Sequence, residues 1–346
     1  LDNTAVKPAN PADARPDFLP SANWDRLRLR AELLARTRAF FAERGFLEVE
    51  TPVLSADTVI DRHLDPIAVT LPHDPRQPGV GRTLYLQTSP EFAMKRLLVA
   101  AALDGSESAP EAIYQLTRAS RADETGPLHN PEFTMLEWYR RGDDMQAGIK
   151  LLSDLAAQLL GRGQAEIVSY GEAFWVHAGV DPHTATAAEL AAMTSYWGIS
   201  VPEDWDVNDR DAWLNVLLTH LVEPQLGQGV PTILYDYPAS QAALARLHGD
   251  PPVAARFELY VDGIELANGY HELLDPAVLR ERNVTANKQR LADGKPALPE
   301  DSRLLAAMDA GLPDCTGVAL GFDRLVMLSA GASSLDEVLA FPIDRA

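Results

Sequence analysis

The stretch "LHNPEFTMLEWYRR", residues 128–141, sets two acids, Glu132 and Glu137, in an otherwise largely apolar run. On a strand, successive side chains point to opposite faces. Phe133, Met135, Glu137 and Tyr139 then share one face, and Glu132, Thr134, Leu136 and Trp138 share the other. A carboxylate buried among apolar groups is costly unless its charge is compensated. Glu137 is therefore paired inside the fold, or waits for a cationic ligand, or points to water from an edge strand. Just upstream, "AIYQLTRASR" (112–121) reads as a partner strand, joined through the polar loop "ADETGPLHN" (122–130). The two make an antiparallel hairpin.

Outward from that hairpin the pattern alternates between helices and short strands. Residues 24–44 carry Leu29, Leu33, Leu34, Phe40 and Phe41 near helical spacing, and Gly45 stops the helix. "FLEVETPVL" follows as a short strand with Pro52 near its end, "TLYLQTS" (83–89) as another, and a helix begins at Pro90. Residues 145–160 predict a helix, and 170–250 a mainly helical insertion with turn-rich breaks. "ARFELYVDGIELANG" predicts a hairpin turning at Asp262-Gly263. Residues 276–293 and 299–310 predict helices, and "GVALGFDRLVML" (317–328) a short strand running into a helix. Strands do not alternate regularly with helices, so the fold class is α+β, an antiparallel sheet flanked by helices. No glycine-rich phosphate loop of the Walker or dinucleotide-binding type is present. A nucleotide would have to be held by arginines and a sheet surface.

The bulk composition narrows the class further. With 346 residues and 46% hydrophobic content the chain is globular. No apolar run is long enough for a membrane span. Residues 1–20, polar and rich in Pro, Ala and Asp, predict a disordered leader, and residues 21–346 one catalytic domain. The lone Cys315 excludes an internal disulfide framework and fits a cytoplasmic protein. The balance of 30 Lys and Arg against 50 Asp and Glu, a net of −20, opposes binding of a polyanion.

Three segments together resemble the class II aminoacyl-tRNA synthetase catalytic core. "RGFLEVETPVLS" (44–55) is similar to its first motif, Ile113–Arg140 to its second, and "GVALGFDRLVML" to its third. "TSPEFAMKRLL", "HNPEFTMLEWY", "GIELANGYHEL" and "LPDCTG" resemble the lysine-type members, and most of all the lysyl-tRNA synthetase paralogues that ligate β-lysine to elongation factor P. The likeness spans about residues 20–346. It implies an adenylate-forming ligase that uses ATP and Mg²⁺ and acts as a homodimer. It implies catalytic roles for Arg121 and Arg324, and an amino-acid pocket of Ser89, Glu91, Glu137, Tyr139, Asn268, Glu272 and Ala319. It places ATP against Arg121, Asp123, His129, Asn130, Phe133, Glu265, Leu266, Gly321 and Arg324, and the metal on Glu258 and Glu265.

These residue types suit the chemistry. A lysine-like substrate needs acids for its two amines, and phosphates are well held by the planar fork of arginine. Strict alternation, however, sets Glu265 on the opposite face from Asn268 and Glu272, so a bulge is expected near Gly269. The second motif also departs from the usual Phe-Arg-x-Glu, reading Ser120-Arg121-Ala122-Asp123; Asp123 is one methylene shorter than Glu, and Glu124, next along, is the alternative acid. Ala319 stands where lysyl-tRNA synthetases usually carry Gly and the β-lysine ligases carry Ala. No strands precede the first helix, so no anticodon-binding domain is expected and tRNA is not an expected partner. Two alternatives remain: a truncated enzyme activating α-lysine, and an inactive regulatory paralogue.

Overall fold

The computed structural model describes residue 16, residues 18–203 and residues 205–346. The expected leader, 1–20, falls mostly outside these. Ser21 and Ala22 donate backbone hydrogen bonds to Ala340 and Leu339, so the start of the domain is tied to its end.

The hairpin forms as its alternation predicts. β5 (Ala112–Ser120) and β6 (Glu132–Arg141) pair antiparallel, with Gln115 opposite Glu137 and Ile113 opposite Tyr139. β12 (Cys315–Gly321) adds to β6, then come β11 (Ile264–His271), β10 (Val253–Val261) and β8 (Thr232–Pro238), all antiparallel. Two edges depart from the expected antiparallel order. β1 (Leu47–Glu48) lies parallel to β5, and β7 (Glu166–Ser169) parallel to β8. The two-residue β9 (Leu247–His248) caps one end of β10. A separate three-stranded sheet holds β2 (Leu54–Ser55), β4 (Gly81–Leu86) and β3 (Ala68–Pro72).

One face of the main sheet is an apolar floor. Leu136, Trp138, Val318, Leu320 and Phe257 pack there beneath α1 (Trp24–Ala42), α3 (Met145–Leu160) and α9 (Phe322–Ser329). Phe41 stacks on Tyr114 with ring centroids 4.5 Å apart. Caps start these helices: Asn23 accepts from Arg26 N, and Asp144 from Ala147 N. The other face carries the site. It is flanked by α2 (Glu91–Asp104), α7 (Pro276–Ala292) and α8 (Arg303–Gly311), packed through Leu98, Leu279, Leu304 and Met308.

The 170–250 insertion is less purely helical than expected. α4 (Tyr170–His177), α5 (Ala187–Tyr196) and α6 (Arg210–Leu217) build a second core around Phe174, Leu190, Trp213 and Leu214. β8 then returns into the main sheet because both its neighbours supply a ladder. The turn at Asp262-Gly263 forms as predicted, with φ of 52° and 75°, the left-handed pair that a two-residue hairpin demands.

Candidate active site

Cross-strand register assembles the site before any side chain is considered. Glu258, Asn268, Ala319, Glu137 and Gln115 lie in one row across five strands. Because neighbours in register share a face, this row points away from the apolar floor. Glu265 joins it through a bulge. Leu259 pairs with Ala267 but Tyr260 with Glu265, so Leu266 is the extra residue. The bulge thus lies at Leu266 and not near Gly269. Gly269 serves packing instead: a Cβ there would come within 2.5 Å of the Phe257 ring.

Above the row opens a cavity of about 880 Å³. Its inner end is acidic. Glu137 is 1% exposed and accepts from Tyr139 Oη at 2.5 Å and Ser89 Oγ at 2.7 Å. Glu91 and Glu272, both buried, each approach Lys95 Nζ to 2.5 Å. Gly317 makes room for this crowding, since a Cβ there would overlap the Tyr139 ring and Glu272 Oε1. Burial first, then the charge of Glu91, pushes the Glu137 carboxyl up to about 7. Burial pushes Glu272 up to about 8, with Lys95 pulling it down and Glu91 pushing it further up. Asn268 Oδ1 and Glu272 Oε1 are buried acceptors without a donor among the described residues. Three acids against one ammonium, with two orphaned acceptors, form a pocket short of positive charge and of donors. Such a pocket suits ammonium groups.

The outer end is cationic. Arg121 leaves β5 with its guanidinium 5.0 Å over the Phe133 ring and donates to Glu124 Oε1 at 2.9 Å. Arg324 stands at the β12–α9 junction, donating to Leu128 O (3.2 Å) and Glu265 O (2.8 Å) and meeting His129 Nε2 at 2.8 Å. Burial and the Arg324 charge hold His129 below its usual range, so its ring stays neutral and Nε2 accepts. Buried Asp323 fixes this junction by accepting from Thr134 N at 2.8 Å and Arg30 at 2.6 Å. An aromatic plane beside two arginines suits a base joined to phosphates.

The family described as tRNA synthetases class II (D, K and N) matches residues 17–345. The chain belongs to this class II synthetase family. Among curated relatives, it is 47% identical over 328 residues to elongation factor P--(R)-beta-lysine ligases of Salmonella gallinarum and Klebsiella pneumoniae. Each alignment covers 94% of this chain and 98% of the relative.

In this class II synthetase family member, most of the expected site residues meet on the wall of one cavity. Ser89, Glu91, Glu137, Tyr139, Asn268, Glu272 and Ala319 line its inner part, and Arg121, His129, Asn130, Phe133, Glu265, Leu266, Gly321 and Arg324 its remainder. Asn130 also does structural work, donating to Glu132 O and accepting from Ile343 N. Two residues are placed differently from expectation. Asp123 is exposed and off the cavity wall, and Glu124, one residue on, pairs with Arg121 because the loop turns between them. Glu258 lies behind the wall, held by Arg256 at 2.5 Å, by Tyr260 at 2.6 Å and by Tyr237. Lys95 and Arg256 were not anticipated. Both were visible in principle: Lys95 is one helical turn after Glu91, and Arg256 two strand positions before Glu258.

Proposed function

We propose that this protein activates (R)-β-lysine with ATP and transfers it to a lysine side chain of elongation factor P. The observation that carries this reading is the polarity of the cavity, with a buried, donor-poor acidic end and an outer end of two arginines and an aromatic ring. The ligase relatives named above agree with it.

In the first step the substrate carboxylate attacks the α-phosphorus of ATP and pyrophosphate leaves. Glu137, Glu272 and Asn268 bind the ammonium groups, which fixes the carboxylate for in-line attack. Arg121 and Arg324 hold the phosphate oxygens, where negative charge builds up. In the second step a neutral lysine amine of elongation factor P attacks the acyl carbonyl and AMP leaves. Ala319, between Asn268 and Glu137 in the row, trims the pocket where an α-amine would otherwise sit.

Mg²⁺ fits the same reading. Glu265 makes no side-chain hydrogen bond among the described residues, and burial with the nearby Glu258 charge pushes its carboxyl up to about 7, so a cation beside it would favour its ionised form. Glu265, on the cavity wall, would hold the ion together with ATP phosphates, and Glu258, behind the wall, would add its charge. When bound, Mg²⁺ neutralises phosphate charge.

The exposed Leu47 and Val53 beside Pro52, and the open β1 edge, support a homodimer through the first motif. Light scattering at micromolar concentration gives the mass of two chains if this holds and of one if it fails. The net charge of −20 supports a protein rather than a tRNA acceptor, and the single cysteine supports a cytoplasmic location. Among the described residues, no helix is long and apolar enough to cross a membrane.

The decisive experiment is pyrophosphate exchange with (R)-β-lysine and α-lysine in parallel, followed by the mass of elongation factor P after full reaction. Exchange that prefers (R)-β-lysine, and a mass gain of one lysyl group, support the proposal. Preference for α-lysine, or no exchange with either, overturns it.

A further inference from the structure

Lys95 has no part in the chemistry set out above, yet it is an ammonium buried at the inner end of the site. It rises from α2 one turn after Glu91 and is 2% exposed. Its Nζ is 2.5 Å from Glu91 Oε1, 2.5 Å from Glu272 Oε2, and 5.9 Å from the centre of the Tyr139 ring. A buried ammonium is costly, and one carboxylate is enough to pair it. Here one ammonium is shared by two carboxylates, and a third, Glu137, accepts from the hydroxyl of the same tyrosine. Glu91 and Glu272 come from different elements, α2 and the end of β11, and Lys95 is the bridge between them. Both carboxylates also reach the cavity wall, whereas Lys95 stands behind it.

We infer that Lys95 is a positioning residue that sets the charge of substrate the pocket accepts. It occupies one cation place permanently and holds Glu91 and Glu272 at a fixed separation. With all three acids ionised, as ammonium binding requires, one built-in ammonium leaves two negative charges for the substrate, which matches an amino acid carrying two ammonium groups. This rests on the reading of the cavity's inner end as the β-lysine pocket. A lysine that merely fastened α2 to the sheet would affect stability and leave substrate affinity alone.

The test compares Lys95→Met, which keeps the unbranched stem and removes the ammonium, with Lys95→Ala, which leaves a hole the size of n-propylammonium. Steady-state pyrophosphate exchange is measured at saturating ATP, with folding checked by circular dichroism. Lys95→Met raises the KM for (R)-β-lysine by at least about tenfold, with much smaller changes in kcat and in the KM for ATP. n-Propylammonium restores the affinity of Lys95→Ala, n-propanol does not, and neither restores Lys95→Met, whose side chain fills the hole. The inference falls if Lys95→Met keeps its KM. It also falls if n-propylammonium rescues Lys95→Ala no better than n-propanol, which remains a test should Lys95→Met not fold. Wild-type protein that shows no exchange with β-lysine defeats the functional reading itself. Wild type that succeeds beside unaltered variants defeats only the role given to Lys95.

Discussion

Binding of β-lysine should weaken steeply on acidification, because the acids that receive it already hold their protons tightly. Burial pushes Glu137 up to about 7 and Glu272 up to about 8. An ammonium group binds a carboxylate and gains little from a carboxylic acid. Each pH unit below a group's pKa then costs about tenfold in affinity, or about 1.4 kcal/mol, for every proton that must leave. At about pH 6, Glu137 alone weakens binding about tenfold relative to about pH 8.5, and Glu272 adds up to about a hundredfold if it too must ionise. The stability of the unliganded protein runs the opposite way. Both carboxyls are raised above their unfolded values, so the folded state binds these protons more tightly. Stability is favoured at low pH and is lost as pH rises from about 4.5 through about 7 and 8. Bound β-lysine cancels this loss. Isothermal calorimetry in two buffers of different ionisation enthalpy reads both consequences: affinity against pH, and protons released on binding. Glu137→Gln should lower affinity at alkaline pH and remove its share of the slope. Affinity that stays flat between about pH 8.5 and pH 6, or proton uptake on binding, refutes the reasoning.

Three other substitutions probe separate parts of the site. Arg324→Ala should abolish pyrophosphate exchange while leaving circular dichroism unchanged, because among the described residues its side chain bonds only to Leu128 O, Glu265 O and His129 at the cavity wall. Ala319→Gly should raise the efficiency of α-lysine activation relative to (R)-β-lysine by about 10- to 200-fold, the range one methyl can discriminate. An unmoved ratio in the exchange assay removes Ala319 as a specificity determinant. Gly269→Ala should destabilise by about 1–3 kcal/mol, as overpacking against the Phe257 ring requires, and denaturant melts that match wild type would contradict it.

The sequence alone determined the periodic parts of this protein. The alternation of 131–141 set Leu136 and Trp138 on the apolar floor and Glu137 and Tyr139 on the opposite face, and the structure keeps both assignments. Asp262-Gly263 announced its turn because few other pairs tolerate two left-handed residues. Helices α1, α2 and α3 were legible from spacing and stop signals, since these act within one or two turns. What depended on distant partners was not legible. The bulge at Leu266 arises where β10 and β11 slip by one residue, and no local signal separates that place from Gly269. The sequence left Asp123 and Glu124 both open as partners of Arg121, and the path of the loop decides for Glu124. The return of β8 to the main sheet was hidden in a stretch whose neighbours are helical. Helical spacing offered Lys95 to Glu91 but not its burial, because a lysine on a helix normally reaches water. Only the tertiary structure brings Glu91 and Glu272 around it, and the cost of burying one ammonium is offset only by carboxylates from elements far apart in the chain.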